Sequence, residues 1–436
     1  MTDNKPLVVV QCPIATRSGY GERSRDLVRA LLALDKYEVK VISTRWGATP
    51  MNALTSDDQD ILNVLQLQPL HQQPDVYIQI TVPNEFQPLG KYNIGITAGI
   101  ETTLCDHSWL EGCNKMNLIL VSSNHAKRVF EETVYNKADA QGQIVGQLRL
   151  QTPIEVLFEG VDLTKFTKEY TQSSHIESTF AEIPESFCFL FCGHWLPGTE
   201  GEDRKNVSGL IRTFYETFKD KTNTPALVLK TSGGTISTTD RDYIQNKINS
   251  IKQSITAKRL PNVYVIYGDL TDAEMNDLYN HPKVKVHVSL TKGEGFGRPL
   301  LEAAVTNKPV MASCWSGHLD FLLPENNILL PGELKPIHPS AVWQGVLNAE
   351  SQWFTVDYAQ VVSFMKDVVK NYKTYTERSR KNYHYIKTNF TFDAMKEKLS
   401  EILTSRLPEF PKQVQLQLPK LKKIELPKLK KVETAQ

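Results

Sequence analysis

Short apolar runs alternate along the chain with segments in which apolar residues recur every three or four positions. Residues 7–10 (LVVV) read as a buried strand, and Leu27, Ala30, Leu31 and Leu34 then mark one face of a helix before a second strand at 39–43. A turn-rich loop, TRSGYGER at 16–23, lies between strand and helix, so the chain opens on a βαβ unit. Further strands are expected at 76–80, 94–97 and 118–122 and near 154–157, with helices at 109–113 and 124–135. The second half repeats the rhythm. Strands are expected at 187–192, 226–230, 263–267, 284–288 and 308–313, with one amphipathic helix on Leu210, Ile211, Phe214 and Phe218 and another at 272–279. The polar stretch 168–185 reads as a linker or surface loop, and from 341 onward the pattern is helical, clearest at 358–375 and 392–403. Strands alternating with helices build parallel sheets, and two such runs joined near Gly160 make a two-part α/β protein.

One stretch concentrates the candidate chemistry. The alternation through Val284, Val286 and Val288 breaks at 291–293, and a helical pattern starts near Pro299, a residue at home in a first turn because its missing N–H costs nothing there. Between them, Gly295 and Gly297 allow the backbone to approach a ligand, and the amides around Phe296 and the helix start can face anionic oxygens. Glu294 on the loop and Glu302 eight positions later suit one polar ligand with phosphates in its middle and hydroxyls at both ends. A glycine turn between strand and helix is also common in any α/β protein. The strand at 308–313 and the turn at 315–318 add a second strand–turn–helix unit, and such units share one crevice at their strand ends. Arg204 and Lys205 stand just before the helix of Leu210, where cations and amides together suit a diphosphate, though exposed charges at a helix start are ordinary.

Bulk properties narrow the class. The 436 residues suffice for two domains and an extension. A net charge of +1 gives no whole-protein field towards nucleic acid or membrane, and no apolar run approaches the roughly 20 residues that span a bilayer. The first apolar run is too short, and too soon followed by Pro13 and Arg17, for a secretory signal; six cysteines without a C-x-x-C fit a reduced, cytoplasmic protein. Asp240-Arg241-Asp242 imitates a metal-binding D-x-D, but its place at a helix start gives acids there a simpler role beside the helix dipole, and no metal is expected.

The run E-G-F-G-R-P-L-L-E-A at 294–303, followed by K-P-V-x-A-S-x-x-S-G-x-x-D at 308–320, resembles the signature of retaining GT-B glycosyltransferases of family 4. That resemblance implies an α/β GT-B fold, two Rossmann-like domains facing across a cleft. It also implies a nucleotide-diphosphate sugar as donor substrate, with no further cofactor. Glu294 then touches the donor sugar's hydroxyls, Gly295, Phe296, Gly297 and Arg298 lie along sugar and diphosphate, and Glu302 holds the ribose. Arg204 and Lys205 bind the phosphates, although Asn206 follows them where the family has glycine. Tyr267 and Leu270 frame the base. Gly19 and Gly21 face the cleft from the first loop, with a plain tight turn as the equal alternative. Glu101, in G-I-E-T-T, stands where many members carry a catalytic-site histidine; His107 reads as a surface or capping residue.

The implied division is 1–165 as acceptor-side domain, with a crossover helix near 386–406 returning to it, and 166–385 as donor domain. The rest, 407–436, is a basic tail in which L-P-K-L-K-K recurs from Leu418 and Leu426. Proline every eighth residue forbids a continuous helix there, leaving a solvated extension or a binder of an acidic partner, nucleic acid or a membrane face. G-I-E-T-T and the segment 191–206 also resemble enzymes of large tailed bacteriophages, which implies a hydroxymethylated pyrimidine in DNA as acceptor; a glycan or lipid stays open beside it. Two rivals remain. A glycoside hydrolase needs carboxyls facing each other across one bond, about 5–9.5 Å apart, which a loop and the ensuing helix supply badly. A catalytically silent binding protein of the same fold is the other.

Overall fold

The computed structural model describes residues 5–196, 198–233 and 237–410. β1 (Leu7–Cys12) is apolar on both faces, as a strand covered on both sides must be. It leads into α1 (Gly19–Leu34), whose N-cap Ser18 hydroxyl accepts the Gly21 N–H. There follow β2 (Glu38–Ser43), the single turn α2 (Gln59–Leu62), β3 (Val76–Ile80), β4 (Tyr92–Thr97), α3 (His107–Cys113), β5 (Leu118–Val121) and α4 (Asn124–Glu132). An antiparallel hairpin, β6 (Tyr135–Ala138) with β7 (Ile144–Leu148), precedes β8 (Ile154–Val156). Six of these strands make a parallel sheet in the order β2-β1-β3-β4-β5-β8.

The second half contains α5 (Ser174–Ala181), β9 (Cys188–Cys192), α6 (Val207–Phe218), β10 (Ala226–Lys230), α7 (Thr238–Gln253) and β11 (Val263–Ile266). It continues with α8 (Asp272–Asn280), β12 (Val284–Ser289), α9 (Arg298–Ala304), β13 (Val310–Ser313) and β14 (Ile328–Leu330). Its parallel sheet runs β11-β10-β9-β12-β13-β14. A hairpin, β15 (Gly332–Pro336) with β16 (Gln352–Val356), and three helices close the chain: α10 (Tyr358–Lys370), α11 (Tyr372–Asn389) and α12 (Phe392–Arg406). In each sheet the strand order reverses beside the first strand, between β1 and β3 and between β9 and β12, which is where α/β sheets open a crevice.

Three expectations need correction. The polar stretch 168–185 is not all loop, because Ile176 and Phe180, four apart, anchor α5 in the core of the second domain. The helix expected at 124–135 stops at Glu132: Thr133 turns out of it and Tyr135 opens the β6–β7 hairpin. The chain after 341 is not helical until Tyr358; Trp353, Phe354 and Val356 form an apolar strand first.

The chain leaves the first domain through Val161 and returns through Phe392, and the two passes lie side by side. Val161 N–H donates to Phe390 O and Phe392 N–H to Val161 O, each at 2.9 Å. Beyond the crossing, α12 lays Met395, Leu399, Ile402 and Leu403 into the core that holds Leu27 and Leu31 of α1. Leu407 and Phe410 pack against the same core, and the repeats of the basic tail lie outside the described residues. No helix among the described residues is long and apolar enough to cross a membrane.

Candidate functional site

Arg204 and Lys205 follow β9, and Glu294 follows β12, so both groups stand at the carboxyl ends of the two strands that flank the reversal in the second sheet. The basic pair lies in a fixed turn. Asp203 accepts the Val207 N–H at 3.0 Å and the Ser208 hydroxyl at 2.8 Å, while its carbonyl accepts the Asn206 N–H at 2.8 Å. Asn206 has φ of 52°, a left-handed conformation that asparagine tolerates better than most side chains, so it does the backbone work of the expected glycine. The turn is tied to the β12 loop through the Lys292 N–H, which donates to Arg204 O at 2.8 Å. The Lys292 side chain is buried on the other side, donating to Thr355 Oγ1 at 2.9 Å and lying 5.1 Å from the Trp353 ring centre. Glu294 is held by its backbone, its N–H donating to Ser316 Oγ and its carbonyl accepting the Gly317 N–H, both at 2.9 Å.

Charge is concentrated here. Lys205 Nζ donates to Glu294 Oε1 at 2.5 Å, and Arg204 Nη1 lies 3.8 Å from Glu294 Oε2 and 3.2 Å from Glu101 Oε1. Burial works to raise the Glu294 carboxyl, but the Lys205 and Arg204 charges outweigh it and hold the group below the usual carboxylate range. Burial likewise pulls the Lys205 ammonium below its ordinary value, opposed chiefly by Glu294. A cavity of about 20 Å³ lies behind the pair, lined by Cys192, Tyr279 and His287 among others.

A second charged group surrounds Glu302. Its Oε1 accepts Arg298 Nε and its Oε2 accepts the Tyr279 hydroxyl, both at 3.1 Å. Arg298 Nη1 reaches back to the first domain, 2.5 Å from Asp26 Oδ2 and 3.9 Å from Glu159 Oε2. Burial pushes the Glu302 carboxyl up to about 7 against the pull of Arg298.

The first domain closes over this loop. A Cβ at Gly293 would sit 1.9 Å from Glu101 O, and one at Gly295 would sit 2.5 Å from Ala98 O, so the bare backbone here admits the other domain's main chain. Ser122 Oγ, which donates to Ala98 O at 2.5 Å, lies 3.2 Å from Gly295 O; the Asn124 N–H donates to Asp320 Oδ2 at 2.9 Å, and Arg17 Nε lies 3.5 Å from Asp269 Oδ2. These partners leave the carboxyl ends of β1, β4, β5, β11, β12 and β13, which places the strand ends of the two sheets face to face.

No protein-family profile and no curated protein sequence matches the chain. Solved structures match it along nearly its whole length. A glycosyltransferase from Rickettsia africae superposes with a TM-score of 0.59 at 15% identity, covering 93% of this chain and 99% of that one. Sucrose-phosphate synthase from Thermosynechococcus elongatus gives 0.58 at 11%, over 92% and 98%, and HepE of Anabaena, in complex with UDP and glucose, 0.56 at 12%, over 92% and 100%. The fold is GT-B. At these identities the likeness establishes architecture, and the residues must speak for the chemistry.

Within the GT-B cleft, the structure brings Glu101, Arg204, Lys205 and Glu294 into one ionic cluster and Arg298 with Glu302 into another. Phe296 is buried against Phe321, ring centres 5.0 Å apart, so it offers a ligand only its backbone. Gly297 has φ of 98° at the N-cap of α9. Gly19 begins α1 with open space beside it, and Gly21 is backed tightly by Thr16 O. Tyr267 stands apart from both clusters: its hydroxyl donates to Asp240 Oδ2 at 2.7 Å, tying β11 to the first turn of α7. Leu270 is half-buried beside the core of the second domain. Lys230, at the end of β10, donates from Nζ to Gly268 O at 2.6 Å. His107 is exposed at the start of α3. Among the described residues no group of three His, Cys, Asp or Glu side chains is placed to hold a metal ion.

Sequence reasoning missed Asp26, Glu159, Tyr279, Lys292 and His318. His318 is fully buried beside Gly297, its Nε2 2.7 Å from Ser313 O. Of these, Lys292 left a local signal, a charge between the strand at 284–288 and the glycine loop.

Proposed function

We propose that this chain is a retaining glycosyltransferase that takes a sugar from a nucleoside-diphosphate sugar and passes it to a hydroxyl acceptor. One observation carries the reading: a basic pair and a carboxylate meet at the strand-order reversal of a GT-B cleft. In this reading the diphosphate lies against Arg204, Lys205 and the backbone of Gly295, Phe296 and Gly297. Glu294 takes the sugar's hydroxyls and Glu302 the ribose diol, while Tyr267 and Leu270 border the base and Gly19 and Gly21 the cleft's other wall. The bond from the anomeric carbon to the diphosphate oxygen breaks, and the acceptor oxygen bonds to that carbon from the same face, passing its proton to the departing phosphate. Arg204 and Lys205 offset the charge that grows on the leaving group. No enzyme nucleophile takes part, so Glu294 is a binding group. In this reading Glu101, 3.2 Å from Arg204, stands beside the leaving group where the resembling family carries a histidine.

The acceptor is a glycan or lipid hydroxyl, or a hydroxymethylated pyrimidine in DNA. In the last case the lysine-rich tail contributes to duplex binding, which then weakens steeply with salt. A panel of nucleotide sugars screened by thermal shift, followed by release of free nucleoside diphosphate, tests the donor side. One donor should stabilise the protein and be turned over, and Lys205→Ala should slow turnover by about 100-fold or more. Stabilisation without turnover, with every acceptor class presented, would leave a silent binding protein; no stabilisation by any donor would end the reading. Labelled donor offered to hydroxymethylated DNA, glycans and lipids separates the acceptors.

A further inference from the structure

Arg298 is shared among three carboxylates in the interior. Its side chain is 13% exposed, and it serves Glu302 on its own helix together with Asp26 on α1 and Glu159 at the exit of the first domain. Glu22 and Arg23 of α1, Tyr279 of α8 and Cys192 of β9 complete the charged and titratable surroundings. Arg298 meets Glu302 through its Nε N–H, although arginine and carboxylate commonly meet through two parallel N–H donors. The Nη1 is drawn across the domain boundary to Asp26 at 2.5 Å.

We infer that Asp26 is a positioning residue for Glu302: from the opposite domain it holds Arg298 turned so that the guanidinium supports only one oxygen of the carboxylate. An ionised carboxylate has about four lone-pair sites. Arg298 occupies one on Oε1 and Tyr279 one on Oε2, which leaves a free site on each oxygen for the two hydroxyls of a vicinal diol. Without Asp26 the guanidinium keeps only the longer contact to Glu159, at 3.9 Å, and can swing onto Glu302 to take both oxygens, competing with the diol. Because Asp26 belongs to the first domain, the diol site is fully prepared only when the domains are together. This inference rests on the reading of Glu302 as the acceptor of a ribose diol.

The test measures affinities of the wild type for UDP, GDP and ADP by calorimetry. The tightest of these is then compared with its 2′,3′-dideoxy counterpart on wild type, Asp26→Asn and Asp26→Glu. The wild type should prefer the ribose form by about tenfold or more, the value of at least one lost hydrogen bond to a charged group. Asp26→Asn should reduce that preference to about threefold or less while leaving the dideoxy affinity unchanged, and Asp26→Glu should restore it. A structural role alone would weaken both nucleotides equally and leave the ratio untouched, which overturns the inference. A wild type that binds both forms equally refutes the reading of Glu302, and the inference falls with it. Binding of no nucleoside diphosphate refutes the donor reading itself. Should Asp26→Asn fail to fold, Asp26→Ser decides on the same ratio: a hydroxyl cannot hold the guanidinium as a carboxylate does, so a retained preference overturns the inference.

Discussion

Lys205 is the residue on which the charge balance of the cleft turns. Replacing it with methionine leaves buried Glu294 with Arg204, at 3.8 Å, as its remaining ion-pair partner among the described residues, and breaking such a pair from one side typically costs about 3–5 kcal/mol. Lys205→Met should therefore unfold at clearly lower urea. Adding Glu294→Gln should recover most of that stability and, on the proposed reading of Lys205 as a phosphate ligand, none of the turnover. Glu302 carries a different signature. Its carboxyl is raised to about 7 by burial, so between about 4.5 and 7 the folded protein binds more protons than the unfolded chain, and stability falls as pH rises through that window. Glu302→Gln removes the effect. The stability of the variant relative to wild type should rise by about 3 kcal/mol between pH 5 and pH 8, read from denaturant melts at each pH. At this scale the sequence showed the residues whose neighbours are local or patterned: Glu294 and Glu302 at either end of a glycine loop, Arg204 and Lys205 at a helix start. It could not show Asp26, which stands 272 positions from the arginine it holds and looks like any acid on a helix.

The turn of residues 203–206 shows how an element sets a functional geometry. At its left-handed Asn206, glycine should cost about 1–2 kcal/mol less than alanine, because only the second places a Cβ against a carbonyl. Tyr358 gives a control, since its hydroxyl donates to Asn206 Oδ1 at 3.1 Å and Tyr358→Phe removes that bond alone, for about 1 kcal/mol. Equal melting of the glycine and alanine variants would contradict the argument. Elements were legible where burial imposes a period. Strands such as β3, buried at every position, stood out as apolar runs, and α6 showed its inward face. The two hairpins did not. Every residue of β15 is exposed, and β7 carries Ile144 and Val145 side by side in solvent, so neither offers the alternation that reveals a half-buried strand. Partner pairing holds these strands, and pairing leaves little trace in one strand's composition.

For the whole molecule, the closeness of the two domains depends on missing side chains as much as on charges. A methyl group at Gly293 would meet Glu101 O at 1.9 Å, backbone that cannot yield locally. Gly293→Ala should hold the domains apart, read as a larger radius of gyration in small-angle scattering with the secondary structure unchanged. Arg17→Ala should leave the radius as it is, because the pair with Asp269 is substantially exposed and worth about 0–1 kcal/mol. The two-domain layout could be read from the repeated rhythm of strands and helices; the cross-domain contacts could not, since they join loops far apart in the sequence. One feature of that layout reaches into biosynthesis. Four apolar residues of α12 complete a core begun by α1, so during synthesis the segment of α1 waits for a segment far downstream to emerge from the ribosome. A nascent chain arrested after Leu330 should remain open to protease in its first half, and one extended past Arg406 should not.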